Sequence, residues 1–282
     1  MKKQSIEEYL EQNLSRSTAD RYGRIIRHFI ATTTNAKKCH YKDVVAYMDR
    51  QNKKYPSTGT SNTILSAIKK YYDYLLHTDQ RSDHPCNTFK IRRKKSVIQK
   101  QNLFTSEELE ELLARENRYA GMEVRNKVVL SLLIYQGLTC GELIKLKVSD
   151  IDLDAGTVYI RSSSKNDSRT MALHRTQYKL MDTYLNQTRK YLLRMKGLNA
   201  KEFLIGKTGE AFAQDGIKAL FKPLKHFFPE RVLNASTVRQ SVVANWLNEK
   251  KLSVLEVQQR AGMKYPSSAE KYQSKDTEQQ RK

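Results

Sequence analysis

From Tyr22 onward, Tyr22, Ile25, Ile26 and Phe29 fall at i, i+3, i+4 and i+7, the spacing of one buried helical stripe, with Arg21, Arg24, Arg27 and His28 opposite. The same period predicts three companion helices. A short one runs from Ile6 to Leu14, and Ser17 or Thr18 caps the second. A third spans Tyr41 to Gln51 with Val44, Tyr47 and Met48 inward. Pro56 and Gly59 then break the chain before a fourth, Thr63 to Leu76. In that helix Ile64, Ala67, Ile68, Tyr71 and Leu75 form the buried stripe and Lys69 and Lys70 fall off it. Residues 1–90 therefore read as a helical unit with a basic outer face.

A second start follows at Thr105, where Thr at the cap and Glu108 three positions on make a capping box ahead of Leu109, Leu112 and Leu113. Leu103-Phe104 supplies a hydrophobic staple. Asn126 to Tyr135 is apolar on nearly every face, which predicts a central buried helix. Thr157-Val158-Tyr159-Ile160 alternates like a strand, the polar run from Ser162 to Ser168 turns, and Arg169 to Leu173 returns. Beyond it, Thr176 to Met195 reads as a helix with Leu180, Tyr184, Tyr191 and Leu192 for packing. Phe203 to Ile205 reads as a short buried strand or loop, and Asp215 to Phe228 as a helix stopped by Pro229. Ser236-Thr237-Val238-Arg239 opens the last long helix, whose Val242, Val243, Trp246 and Leu247 bury its back and leave Ser236 and Arg239 on one face. The fold class expected is mainly α with a small antiparallel β-sheet.

Composition narrows the partners. The chain of 282 residues carries 51 Lys+Arg against 30 Asp+Glu, a net +21, and such an excess calls for a polyanion, with nucleic acid the default. Residues 1–100 hold 21 basic and 9 acidic residues, a net +12, against 30 and 21, a net +9, in the remainder. The run Arg92-Arg93-Lys94-Lys95 lies between the two segments. If these clamp a duplex, its charges meet phosphates without reading sequence. On their own, residues 1–90 fit equally well an ordinary bundle with a solvated charged face. Cys39, Cys86 and Cys140 are too scattered for a disulfide framework, and the six histidines show no ligand spacing, so reduced thiols and no metal are expected. No Gly-rich phosphate loop, membrane-length apolar run or signal-peptide core occurs, which points to the cytoplasm.

Four stretches share one frame. They are Gly137-Leu138-Thr139-Cys140-Gly141-Glu142-Leu143 followed by Leu146 and Ser149-Asp150-Ile151-Asp152, then Ser236-x-x-Arg239, then Ala261-Gly262-Met263, and Tyr272 nine residues after Met263. This resembles the tyrosine recombinases, or phage integrase family, which carry Gly-Leu-Arg-x-x-Glu-Leu, His-x-x-Arg, Leu-Gly-His and a tyrosine nine beyond that histidine. Thr139 stands where the family has its first arginine, and Ser236 and Met263 where it has histidines.

The resemblance implies a helical, SAM-like core-binding domain at 1–90, a basic linker at 91–102 and a recombinase catalytic domain at 103–282. Arg21, Arg24, Arg27, Lys69, Lys70, Arg92, Arg93, Lys94 and Lys95 would then contact double-stranded DNA. It also implies that Tyr272 attacks a DNA phosphodiester to give a 3′-phosphotyrosyl link, needing neither cofactor nor metal. Arg239 would bind the phosphate, Lys165 at the hairpin turn would protonate the leaving oxygen, and Ser236 would hydrogen-bond a phosphate oxygen. Met263 would only pack beneath Tyr272. Losing one preorganised donor lowers a rate by roughly 100 to 1,000-fold, so a second cation must come from elsewhere or activity should be weak; Arg161, with Arg169 behind it, is the candidate substitute. Recombination by family analogy uses four protomers in a synaptic assembly. Two other readings stand beside it. One is a relative that kept fold and DNA binding but lost catalysis, acting as an accessory protein. The other is a plain helical nucleic-acid binder, with no hairpin near Lys165 and no approach of Arg239 to Tyr272.

Overall fold

The apolar stripes gather into two separate cores. The computed structural model describes residues 4–92, 102–115, 121–196 and 199–274 and divides into two compact units, residues 1–97 and 98–282. The linker residues Arg93, Lys94 and Lys95 lie outside the described residues, while Arg92 is exposed. Among the described residues no helix is long and apolar enough to cross a membrane.

The first unit consists of α1 (Ile6–Asn13), α2 (Arg16–Thr32), α3 (Tyr41–Lys54) and α4 (Thr58–His77). Ile26 and Phe29 of α2, Val44, Tyr47 and Met48 of α3, and Ile68, Tyr71, Tyr72 and Leu75 of α4 close its core. Two helix starts differ from expectation. Ser15, two residues earlier than Ser17, is the N-cap of α2, and Ser57 that of α4. Gly59 therefore sits in the first turn of α4, where the amides have no intrahelical partner in any case, and does not break the chain.

The second unit opens on α5 (Ser106–Ala114), capped by Thr105 with its reciprocal Glu108 bond. Next come α6 (Glu123–Tyr135) and the short α7 (Cys140–Leu143). Strands β1 (Ile151–Asp152), β2 (Thr157–Ile160) and β3 (Arg169–Ala172) form an antiparallel sheet in that order, with Ile151 opposite Val158 and Ile160 opposite Arg169. β1 falls in the Ser149-Asp150-Ile151-Asp152 stretch, to which the sequence assigned no strand.

The helix expected over 176–195 is α8 (Gln177–Thr183), a π-helical stretch Tyr184–Arg189, and α9 (Lys190–Lys196). The wider turn shifts the helical phase of the residues after it, so Tyr184 and Leu192 are buried and Tyr191 is exposed. It also carries Arg189 inward, where it donates to the carbonyls of Ala200, Glu202 and Phe203. α10 (Gln214–Phe221) stops earlier than expected because Pro223 has no amide to continue it.

α11 (Ala235–Asn248), α12 (Val254–Ala261) and α13 (Ser267–Glu270) complete the unit. The sequence suggested that α11 buries only its back. In fact α5, α6, α10 and α12 surround it, and it is buried from Ser241 to Leu247 without interruption. With α6 it forms the centre of the second core, so the side chains at its start are fixed by packing on several sides.

Candidate active site

The site is built around one buried carboxylate. Thr139 caps α7 by accepting from the Glu142 amide at 3.1 Å, and Glu142 returns the bond, its Oε2 accepting from the Thr139 amide at 2.8 Å and hydroxyl at 2.9 Å. The other oxygen accepts from Arg169 Nη1 at 2.7 Å and Asn166 Nδ2 at 3.1 Å. Arg239 Nη1 stands 3.8 Å from Oε2, and the Glu142 side chain is 3 % exposed. Burial pushes this carboxyl up, but the Arg169 hydrogen bond and charge, the Thr139 amide and Arg239 outweigh it and hold the group below its ordinary range. It stays ionised and ties two arginines, a hairpin and a helix start to one point.

Arg239 follows one turn after Asn234, whose side chain caps α11 by accepting from the Ser236 and Thr237 amides. Its guanidinium donates to the carbonyls of Gly137 and Ala261, the latter at 2.7 Å. Gly137 holds a φ of +58°, and a Cβ there would press on Trp246 and Val242 at 3.2 and 3.3 Å, so glycine alone lets this turn bring its carbonyl to the arginine. Burial lowers the Arg239 pKa from its ordinary value, with Glu142 opposing. An arginine remains charged under such a shift.

The β2–β3 hairpin reaches over the same point. Asp167 donates its amide to the Gly262 carbonyl at 2.9 Å, and Asn166 pairs with Met263 in an antiparallel bridge. Between hairpin, α7 and α11 lies a cavity of about 780 Å³ walled by Thr139, Glu142, Arg161, Lys165, Arg239 and Met263. These six positions, spread over 125 residues of sequence, converge here. Lys165 is exposed and its ammonium has no partner among the described residues.

Two expected members stand apart. Ser236 is exposed and off the cavity wall. Tyr272 is 8 % exposed and also off the wall. Burial raises the pKa of its phenol, and the Arg239 charge opposes that rise. Met263, expected as mere packing, lines the cavity and also touches the core. Arg161 holds Asp150 with both arms of its fork. Arg169 is buried against Glu142, with Nε and Nη2 lacking a described partner. Sequence reasoning passed over Asn166, Lys145, Lys264 and Tyr265, all four of which line the cavity. For Lys264 and Tyr265 the signal was their place directly after Met263 in the shared frame. For Asn166 and Lys145 there was none.

In the first unit Arg21 and Arg24 are exposed and border a recess of about 330 Å³ with Lys54, Thr60 and Thr63. Arg27 pairs loosely with Glu7 at 3.4 Å. Lys69 and Lys70 are half-buried and spend their ammoniums on the Asn87 carbonyl at 2.7 Å and the Asp73 carboxylate at 3.1 Å. Of the five basic side chains expected to meet DNA in this unit, Arg21 and Arg24 therefore stay exposed without an acid partner among the described residues.

The β2–β3 hairpin, which an accidental resemblance would lack, is present. Comparison with known proteins agrees with the frame. The tyrosine recombinase XerD of Listeria innocua is 25% identical over 246 residues, covering 84% of this chain and 81% of the relative. XerD of Halalkalibacterium halodurans is 24% identical over 246 residues, with 84% and 80% covered. Among solved structures, the XerH site-specific recombinase bound to palindromic difH substrate superposes with a TM-score of 0.68 at 16% identity, over 93% of this chain and 74% of that one. The Tn1549 transposon integrase in complex with circular intermediate DNA gives 0.69 at 13% identity, over 98% of each. These structures share the fold. The profile of the N-terminal SAM-like domain of phage integrases matches residues 6–79, and that of the phage integrase family matches residues 102–279. The chain belongs to the phage integrase family.

Proposed function

We propose that this chain is a site-specific DNA recombinase that cuts and rejoins strands through Tyr272. The observation that carries the reading is the cavity that Arg239 and Lys165 line together, with Tyr272, 33 positions after Arg239, buried within reach of that arginine's charge. The phenolic oxygen attacks a backbone phosphorus, the bond to the 5′-oxygen breaks, and a 3′-phosphotyrosyl link keeps the bond energy for rejoining. Arg239 holds a non-bridging oxygen, and Lys165 gives its proton to the leaving 5′-oxygen. With Met263 in place of a histidine, the phenolic proton passes to water. Since Tyr272 is packed away from the cavity wall, cleavage requires its segment to swing toward the phosphate. Ser236 joins only if the bound backbone reaches the exposed start of α11.

Residues 1–90 act as the core-binding domain, 91–102 as the linker and 103–282 as the catalytic domain. Exposed Arg21, Arg24 and Arg92 meet phosphates of double-stranded DNA. The XerD relatives are recombinases, and the XerH and transposon integrase structures were solved on DNA. By the same analogy this chain assembles as four protomers on two duplexes, in the cytoplasm.

The test is a duplex selected from random sequences by binding to this protein, then nicked beside the cleavage point so that the released fragment diffuses away. A protein–DNA adduct on a denaturing gel is expected, absent in Tyr272→Phe, with duplex affinity unchanged. Tight binding with no adduct from the unaltered chain would instead assign it the accessory role.

A further inference from the structure

A phosphorus under attack spreads charge over its non-bridging oxygens, and fixed cations at those oxygens supply the largest share of the stabilisation. Thr139 carries none. Three guanidiniums adjoin the cavity; Arg239 is read as the first phosphate ligand, and the other two are held by carboxylates. Arg239 donates to two carbonyls, Arg161 grips Asp150 with both arms, and Arg169 is buried against Glu142. A Cβ on Gly262 would collide with the Arg169 guanidinium, which places that arginine directly beneath the Gly262 backbone.

The lysines of the wall are different. Lys145, Lys165 and Lys264 are exposed, and among the described residues none of their ammoniums makes an ion pair or a hydrogen bond. The acids of the wall, Glu142 and Asp150, are neutralised by the arginines. The cavity therefore presents an uncompensated positive charge made of lysine.

Of the three, Lys264 grows from the most constrained backbone. The Ala261 carbonyl accepts from Arg239 at 2.7 Å, and the Gly262 carbonyl accepts from the Asp167 amide at 2.9 Å. Met263 donates its amide to the Gln258 carbonyl at 2.9 Å and pairs with Asn166. These bonds fix the backbone of residues 261–263, and Lys264 follows directly on it. Lys145 instead sits just past the end of α7, its amide held only to the Glu142 carbonyl at 3.1 Å. Lys165 is already assigned the leaving oxygen.

We propose that Lys264 is the second phosphate-binding cation of the site, supplying from the Gly262–Met263 turn the charge that position 139 lacks. This rests on the reading of Tyr272 as nucleophile and Arg239 as phosphate ligand. Its ammonium donates to a non-bridging oxygen as a point charge and transfers no proton.

The experiment measures single-turnover adduct formation by the full chain on the nicked duplex, and repeats it with a methylphosphonate at the cleaved position. That group has lost the non-bridging charge, so a residue whose role is to neutralise it becomes dispensable. Lys264→Gln is expected to slow the phosphodiester reaction on the order of 100-fold with little change in duplex affinity. On the methylphosphonate, variant and unaltered protein should react at similar rates. Lys264→Arg should retain most of the activity, and Thr139→Arg added to Lys264→Gln should restore part of it. Lys264 is exposed, and an unchanged thermal melt will show that the variant folds.

An unaffected Lys264→Gln, or an equal deficit on both substrates, overturns the proposal while leaving Tyr272 in place. So does a loss confined to Lys145→Gln. If the unaltered chain forms no adduct at all, the recombinase reading falls and the lysine's role falls with it.

Discussion

Glu142 is the residue on which the site's geometry converges, because one buried carboxylate fixes Arg169, Asn166 and Thr139 and faces Arg239. Replacing it with glutamine keeps the shape and removes the charge, leaving a buried Arg169 whose Nε and Nη2 already lack described partners. Glu142→Gln should therefore destabilise the second unit by about 3 to 5 kcal/mol in urea unfolding at neutral pH. The pH dependence has a definite sign. The folded pKa of Glu142 lies below its unfolded value, so its contribution is present above pH of about 4.3 and is lost as pH falls through the folded value. The gap between variant and unaltered protein should narrow in acid; a constant gap would show that the charge is not what stabilises. Tyr272 gives the opposite handle. Its raised pKa keeps the proposed nucleophile protonated at neutral pH, and adduct formation should climb with pH through the neutral range. A flat profile would mean that another group takes the proton.

At the scale of elements, short junctions hold the site's long-range parts together. The turn after α12 places Gly262 at a φ of +64°, with a Cβ position 2.9 Å from the Asp167 carbonyl oxygen and against the Arg169 guanidinium. Gly262→Ala should cost about 1 to 3 kcal/mol and detach the hairpin tip. The amide of Asp167, bonded to Gly262, would then exchange faster by hydrogen-exchange mass spectrometry. The start of α5 offers a milder comparison. Thr105→Ala removes the acceptor for the Glu108 amide and should cost about 1 kcal/mol. Because Glu108 also pairs with Arg231 at 2.9 Å beside Phe104, Glu108→Ala should cost more, as the same urea titration will show.

For the whole molecule the governing quantity is charge. A net +21 with exposed arginines on α2 and free lysines around the cavity predicts duplex binding driven by counterion release. If six or more phosphates are neutralised, affinity should fall on the order of 1,000-fold between about 50 and about 200 mM salt. Arg21→Gln and Arg24→Gln should each reduce the slope of that dependence by about one without changing sequence preference. A slope unaffected by either would remove the recess on α2 from the interface.

The amino-acid sequence by itself determined where the helices lie, how the chain divides and which family frame it carries, because these depend on local periodicity, capping and spacing. The α6 pattern, the Thr105 box and the Gly262 to Tyr272 interval are all legible in one dimension. Local pattern misplaced the starts of α2 and α4, since serine caps compete within a few residues, and it could not foresee the π-helical turn that buries Arg189. Only the tertiary structure decided which cations are free. Arg161 and Arg169 read from sequence as available charge, yet Asp150 and Glu142, 11 and 27 positions away, occupy them. A guanidinium's partners come from wherever packing brings a carboxylate, and that information is spread over the entire fold.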